Sequence, residues 1–165
     1  MADRPPFIKR FSDLPVDPQR PPYPGRDELF GIVASFSRNM GLTKLGIHHE
    51  TLLPGRRSSL PHAERDEDEF VLVLEGNPDV WIDGDLHALQ PGDGVAFPSG
   101  TGIAHTFLNN TSEPARLLVI GEASKRSNKI VYPLNPELHA HKSSVWWDDA
   151  PARKLGPHDG KPSGK

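Results

Sequence analysis

Closely spaced turn signals constrain the fold of this chain more than any other feature. Between residues 28 and 122 they recur about every eight to twelve residues and separate short runs rich in β-branched and aromatic residues. The turn signals are Asn39-Met40-Gly41, Pro54-Gly55, Gly76-Asn77-Pro78, Asp83-Gly84, Pro91-Gly92-Asp93-Gly94 and Ser99-Gly100-Thr101-Gly102. The 18 Pro and 15 Gly residues argue against long helices, because Pro cannot continue a helix and Gly destabilises one. This rhythm predicts an all-β barrel or sandwich.

The composition excludes several classes of protein. A net charge of −3 without a long block of Lys or Arg is not the footprint of a nucleic-acid-binding protein. The longest apolar run is about five residues, far short of the roughly 20 that a membrane helix needs. The N-terminus has no apolar segment of a secretion signal, and the chain has 0 Cys, so disulfides and thiolate chemistry are excluded. We therefore expect a cytoplasmic protein that binds neither nucleic acid nor membrane.

The 165 residues divide into three predicted regions around one domain. Residues 1–27 are a Pro-rich arm, residues 28–122 are the β-barrel, and residues 123–165 form a C-terminal extension. The extension carries Trp146 and Trp147, which need apolar cover from the outer face of the barrel or from a second subunit. We expect both extensions to bury surface in a homodimer.

A cluster of potential metal ligands begins at His62. His62 and Glu64 are two residues apart, so on a strand both side chains leave the same face, and Glu69 opens the apolar run that follows. A second imidazole, His105, comes from a distant strand. Imidazoles and carboxylates that converge inside an all-β scaffold suit Mn²⁺, Fe²⁺, Ni²⁺ or Zn²⁺. The alternative is that residues 65–69 are only a charged, solvated loop.

The two clusters together resemble the motifs of the cupin superfamily, in particular the small single-barrel proteins of the cupin-2 type. The first motif is matched by Gly55, His62, Glu64, Glu69 and Gly76. The second motif is matched by Gly92, Pro98, Gly100, His105 and Asn109. The chain departs from the family pattern at Glu64, where the family usually has a second His, and in a gap between Gly100 and His105 that is two residues longer.

The resemblance implies a double-stranded β-helix, the jelly-roll barrel of cupins, with a divalent transition metal held by His62, Glu64, Glu69 and His105. Zn, Mn, Fe and Ni all remain open. Some relatives are labelled sugar-phosphate isomerases, which implies a metal-dependent isomerase acting on a small sugar or sugar phosphate, with Glu64 and Glu69 as catalytic carboxylates. Two alternatives stay open: an Fe(II)-dependent oxygenase using a His62, Glu64, His105 triad, and a barrel that binds a small polar molecule without catalysis.

Two pairs of adjacent basic residues, His48-His49 and Arg56-Arg57, could also contribute to the site. His48 and His49 are adjacent, so only one can face the interior, and we expect a structural role for it. Arg56 and Arg57 could hold an anionic substrate group at the mouth, although a solvated strand start is the simpler expectation.

Overall fold

The computed structural model describes residues 5–16, 23, 25–123 and 125–163. The strands are β1 (Ile32–Ser35), β2 (Leu45–Leu52), β3 (Ala63–Glu64), β4 (Glu69–Glu75), β5 (Asp79–Ile82), β6 (Asp85–Ala88), β7 (Gly94–Phe97), β8 (His105–Leu108), β9 (Ala115–Glu122) and β10 (Ile130–Val131). The helices are short: α1 (Phe36–Met40), α2 (His139–Lys142) and three 3-10 turns at Phe11–Asp13, Pro136–Leu138 and Ser143–Val145. Among these described residues, no helix has the length and apolarity to cross a membrane.

The strands pair antiparallel in three sheets. The largest has the order β1-β2-β9-β4-β7, and the smaller ones have the orders β6-β5-β8 and β10-β3. Isolated bridges from Arg57 to Leu108 and from His62 to His105 join the smaller sheets into one layer opposite the large sheet. Two antiparallel layers that enclose one core form a jelly-roll barrel, so the predicted all-β barrel is confirmed.

The barrel core follows the two-residue alternation of its strands. On β4, Val71 and Val73 are buried, whereas Phe70 and Leu74 on the opposite face are 40% exposed. The main buried cluster consists of Leu52, Val71, Val73, Val80, Phe97, Phe107, Ala115, Leu117 and Val119. Val71, Val73 and Phe107 therefore face the interior of the barrel.

The C-terminal segment packs on the smaller layer. β10 pairs with β3, and Trp147 is buried in a cluster that includes the fully buried Trp81. Trp146 packs against a separate cluster that contains Tyr132. The tryptophan pair is thus covered by its own chain and gives no argument for a second subunit. The homodimer and the three-region division stay predictions, and part of the predicted arm, residues 1–4, 17–22 and 24, lies outside the described residues.

One helix interrupts the stretch that reads as a strand over residues 29–37. β1 ends at Ser35, whose side chain accepts a hydrogen bond from the Arg38 amide at 3.2 Å and so caps α1. Gly41 ends the helix with a φ of 74°, which favours Gly. Ser35 and Arg38 line the larger cavity described below.

Candidate metal centre

His62 and His105 are paired directly with each other in an isolated antiparallel β-bridge. The His62 amide donates to the His105 carbonyl at 3.2 Å, and the His105 amide donates to the His62 carbonyl at 2.9 Å. Side chains of directly paired residues leave the same face of a sheet. The two imidazole rings accordingly lie side by side, with centroids 5.0 Å apart.

Each ring is oriented by the carbonyl two residues earlier in the chain. Nδ1 of His62 lies 2.9 Å from the Leu60 carbonyl oxygen, and Nδ1 of His105 lies 3.4 Å from that of Ile103. His105 is also stacked on Phe97, with ring centroids 3.4 Å apart. A carbonyl at Nδ1 favours the tautomer that carries its proton there, which leaves the Nε2 lone pair for a metal or a substrate.

The charge state of His62 suits a metal ligand. Burial, followed by the neighbouring His105, lowers the pKa of His62 to about 4. At neutral pH the imidazole is therefore uncharged, which is the form that binds metals.

Glu69 is the carboxylate nearest to His105. Its Oε1 atom lies 3.2 Å from Nε2 of His105. Burial acts to raise the pKa of Glu69, but the hydrogen-bonding contact with Nε2 of His105, followed by the electrostatic influence of the neighbouring imidazoles, outweighs it and leaves the pKa below its ordinary value. Glu69 is accordingly ionised at neutral pH and is available as an anionic ligand.

Glu64 is the second carboxylate of the candidate site. It follows His62 by two residues on β3 and lies near Glu67 and Glu69. Burial first, and then the two neighbouring carboxylates, raise the pKa of Glu64 to about 8. The carboxylate that touches His105 is thus Glu69, whereas Glu64 contributes a second carboxyl group on the same wall.

The donor set fits a divalent transition metal in its chemistry. Two imidazoles and two carboxylates are typical ligands of such ions. A small pocket of about 10 Å³ is bounded in part by Glu64, Glu69 and His105, which is close to the room that one water needs. Within the described part of the chain, however, no three His, Asp or Glu side chains stand in an arrangement that would hold an ion. The Glu69–His105 hydrogen bond is the contact that an ion would replace.

A larger cavity of about 370 Å³ adjoins this pocket. Its room comes from Gly46 and Gly121, which pair in register with each other and, through Gly121, with Glu69. On the β9 and β2 side of Glu69, the neighbouring inward-facing positions therefore carry no side chains. His48, which comes next on the same face of β2, also lines the cavity. This volume is adequate for a small polar ligand.

The cavity has a polarised lining. Its carboxylates are Glu64, Glu67, Asp68, Glu69 and Glu122, and its basic side chains are Arg38 and His48. One side of the cavity can therefore meet hydroxyl groups or a cation, and the other can meet an anionic group.

Arg56 and Arg57 do not line this cavity. Arg57 is 2% exposed and donates two hydrogen bonds of 2.7 Å to the Glu28 carboxylate and one of 2.6 Å to the Gly160 carbonyl. Arg56 donates to the Phe30 carbonyl at 3.1 Å. The expectation of a solvated strand start is wrong for Arg57, because the C-terminal segment and Glu28 enclose it. Neither Arg supports the anion-holding role considered for the mouth.

The sequence motifs did not include Glu50. Glu50 is 4% exposed, and its inward direction follows from its spacing to the core residue Leu52. The same alternation shows which of the two adjacent histidines faces inward: it is His48. His49, on the outer face, is stacked on Phe11 with ring centroids 3.8 Å apart. The two-residue alternation of β2 was the sequence signal that could have placed Glu50 inside the barrel. The charge of a Glu side chain instead favours a solvent-exposed position.

Known proteins resemble this chain in both sequence and fold. The sequence model of the family described as Cupin domain matches residues 48–121. A structure from Silicibacter pomeroyi, described as a sugar phosphate isomerase from a cupin superfamily, is 32% identical, with a TM-score of 0.68 and coverage of 74% of this chain and 79% of its own. A protein from Acidithiobacillus ferrooxidans, proposed to be a sugar phosphate isomerase, is also 32% identical, with a TM-score of 0.59 and coverage of 62% and 65%.

A more distant structure shows the fold alone. The polyketide cyclase RemF from Streptomyces resistomycificus is 18% identical, with a TM-score of 0.61, and the alignment covers 89% of this chain and 100% of RemF. No curated protein matches the chain in sequence. With 32% identity to the Silicibacter pomeroyi protein over 79% of that protein's length, the chain belongs to the cupin superfamily.

Proposed function

We propose that this protein is a metal-dependent isomerase that acts on a small sugar or sugar phosphate. The observation that carries the proposal is the juxtaposition of His62, Glu69 and His105 beside a cavity of about 370 Å³ with a polar lining. The substrate class is supported by the similarity to two proteins described as isomerases of sugar phosphates. Cavities of this size enclose small ligands of that kind.

We assign His62, Glu69 and His105 to a divalent transition metal, with Glu64 beside them. We assign Glu69 as a ligand because its Oε1 atom lies 3.2 Å from Nε2 of His105, which is another of the assigned ligands. Glu64 lines both the small pocket and the larger cavity, so it can reach a substrate carbon as well as the ion. A bound ion would supply Lewis acidity to adjacent carbonyl and hydroxyl oxygens of the substrate.

Glu64 in its ionised form, which a bound cation would favour, is the carboxylate that moves the substrate proton in this scheme. Conversion of an aldose to a ketose requires that a proton leave C2 and return to C1. A single carboxylate that faces both carbons can do both, taking the proton and giving it back. The Gly46 and Gly121 positions leave the room in which the two carbons can lie beside Glu64.

The alternative oxygenase would use Glu64 as the single carboxylate with the two imidazoles. The carboxylate within hydrogen-bonding distance of His105 is instead Glu69. The geometry therefore gives more support to a set built on Glu69, with Glu64 free for proton transfer, than to the triad of His62, Glu64 and His105.

The test is an assay of aldose and ketose phosphates, with free sugars included, after loading with Mn²⁺, Fe²⁺, Ni²⁺ or Zn²⁺. We expect interconversion with at least one metal, its loss with a chelator, and a fall in kcat of about 10²-fold or more in Glu64→Gln. Glu75→Gln is the matched control, because Glu75 lies at the other end of β4 and its side chain is 62% exposed.

Three outcomes would count against the isomerase. The absence of interconversion with every metal would contradict it directly. Oxygen uptake on addition of Fe²⁺ would instead select the oxygenase. Thermal stabilisation by ligands without turnover under any metal would select a non-catalytic binding barrel.

A further inference from the structure

A buried carboxyl group without a full set of partners lies on β2. Glu50 is 4% exposed, and among the described residues its Oε1 atom has no hydrogen-bond partner. Its Oε2 atom lies 3.7 Å from Nε2 of His48. A buried polar atom that remains unpaired destabilises a fold, so its retention calls for a functional explanation.

Glu50 lies behind His48 as seen from the cavity. Both residues are on the inward face of β2, and His48 lines the cavity, whereas Glu50 does not. The side chain of His48 is 28% exposed and that of Glu50 is 5% exposed. The carboxyl group of Glu50 rests against Gly31, where any Cβ would overlap it. A ligand in the cavity can therefore touch His48 directly and can meet Glu50 only through His48.

The neighbouring His49 is a buried residue of the same strand whose packing explains its burial. Its Nε2 atom is also buried without a partner, but its ring faces outward and is stacked on Phe11. Among the described residues that line the cavity, His49 is not included. The packing of His49 accounts for its burial, whereas no comparable contact accounts for the carboxyl group of Glu50.

We propose that His48 is a catalytic residue on the wall formed by β2, and that Glu50 is the positioning residue that orients and proton-couples it. This inference rests on the proposed isomerase and adds the second proton-transfer group that such a reaction needs. His48 would act together with Glu64, and both residues line the cavity. Burial raises the pKa of Glu50, which is consistent with a carboxyl group that holds a proton beside an imidazole.

The proton balance of the reaction defines the role of His48. In the first half, Glu64 takes the proton from C2, the C–H electron pair forms the C1=C2 bond, and His48 donates a proton to the carbonyl oxygen O1. In the second half, Glu64 returns its proton to C1, and His48 takes the proton from the hydroxyl oxygen O2, which becomes the carbonyl. Both side chains regain their initial protonation states, and no further reactant is needed.

The proposal is tested first without any substrate. Ring-nitrogen chemical shifts of His48 are measured by NMR at constant pH in the full chain, in Glu50→Gln and in Gly31→Ala. We expect both substitutions to move the His48 shifts, because the first changes the partner of Nε2 and the second displaces the carboxyl group. His49→Gln is the matched control on the outer face and should leave the His48 shifts in place. Unchanged His48 shifts in both variants would overturn the proposal.

The second arm measures turnover and metal content in the same variants. We expect His48→Gln to lower kcat by about 10²-fold and Glu50→Gln by about 10-fold, the lower range for a residue that acts through another. KM and metal content should stay unchanged. A wild-type kcat in Glu50→Gln, or a lower kcat that only follows a loss of folded protein, would overturn the proposal. If the His48 resonances shift but neither the unchanged protein nor any variant shows turnover, the coupling between His48 and Glu50 is supported and the isomerase is refuted.

Discussion

Arg57 and Glu50 are both ionisable residues buried in the barrel, but their polar contacts differ. The guanidinium group of Arg57 is satisfied by the Glu28 carboxylate and the Gly160 carbonyl, and it lies 5.5 Å from the ring centroid of Phe30. The carboxyl group of Glu50 has one distant imidazole neighbour and one unpaired oxygen. A buried charge is expensive unless its hydrogen bonds are complete.

The difference separates a residue that maintains the fold from one that serves the cavity. Arg57 ties Glu28, ahead of β1, to Gly160 near the C-terminus, so it links segments that are distant in the sequence. Glu50 instead lies 3.7 Å from a neighbour on its own strand, His48, which lines the cavity. We therefore expect substitutions at Arg57 to affect stability and substitutions at Glu50 to affect chemistry.

The largest effect on stability is expected for Arg57→Ala. It removes the partner of Glu28 and of the Gly160 carbonyl, and breaking a buried ion pair costs about 3 kcal/mol or more of the free energy of unfolding. Urea unfolding measures the change. Glu28→Gln should cost less, because the Glu28 side chain is 32% exposed and water can replace part of the lost contact. A loss under about 1 kcal/mol in Arg57→Ala would show that the pair is not structural.

An intermediate effect is expected at Glu64, whose neighbours are carboxylates. Because its pKa is raised to about 8, the folded protein holds a proton that the unfolded chain releases near pH 4.5. The free energy of unfolding therefore falls as pH rises through this window. His62, with its pKa lowered to about 4, acts in the opposite direction, but only below about pH 6.5.

We expect Glu64→Gln to remove a decline on the order of 1 kcal/mol between pH 6.5 and 8. The measurement is urea unfolding of chelator-treated protein at several pH values in this range. Equal slopes in the variant and the unchanged protein would refute a raised pKa at Glu64.

The smallest effect on stability is expected for Glu50→Leu. Leu keeps a similar volume and removes an unpaired buried oxygen, so the free energy of unfolding should stay within about 1 kcal/mol of its original value or rise. Thermal and urea unfolding check this. A loss of more than about 2 kcal/mol would place Glu50 with Arg57 among the residues that maintain the fold.

The barrel, and the approach of His62 to His105 within it, could be predicted because they depend on local patterns and family motifs. Turn residues at short intervals define the strands, and the two-residue period places His62 and Glu64 on one face. The family motifs then connect them with Glu69 and His105. The bridge between His62 and His105 is the structural counterpart of that connection.

Other features depend on contacts that no local pattern encodes. Arg57 looks solvated in the sequence because its partner Glu28 is 29 residues away and its second acceptor is near the C-terminus. Glu50 looks solvated because a charge usually is. Residues 29–37 have the β-branched and aromatic content of a strand, yet β1 ends at Ser35 because the side chain of Ser35 caps α1.

Elemental analysis of the purified protein tests the central claim most directly. We predict close to one transition-metal ion per chain, and loss of most of it in His105→Ala, because Nε2 of His105 lies 3.2 Å from Glu69 and its ring lies beside that of His62. His139→Ala is the control, since His139 lies on the surface in α2 with its side chain 50% exposed. Metal content that is negligible in the unchanged protein, or equal in His105→Ala, would contradict the metal centre.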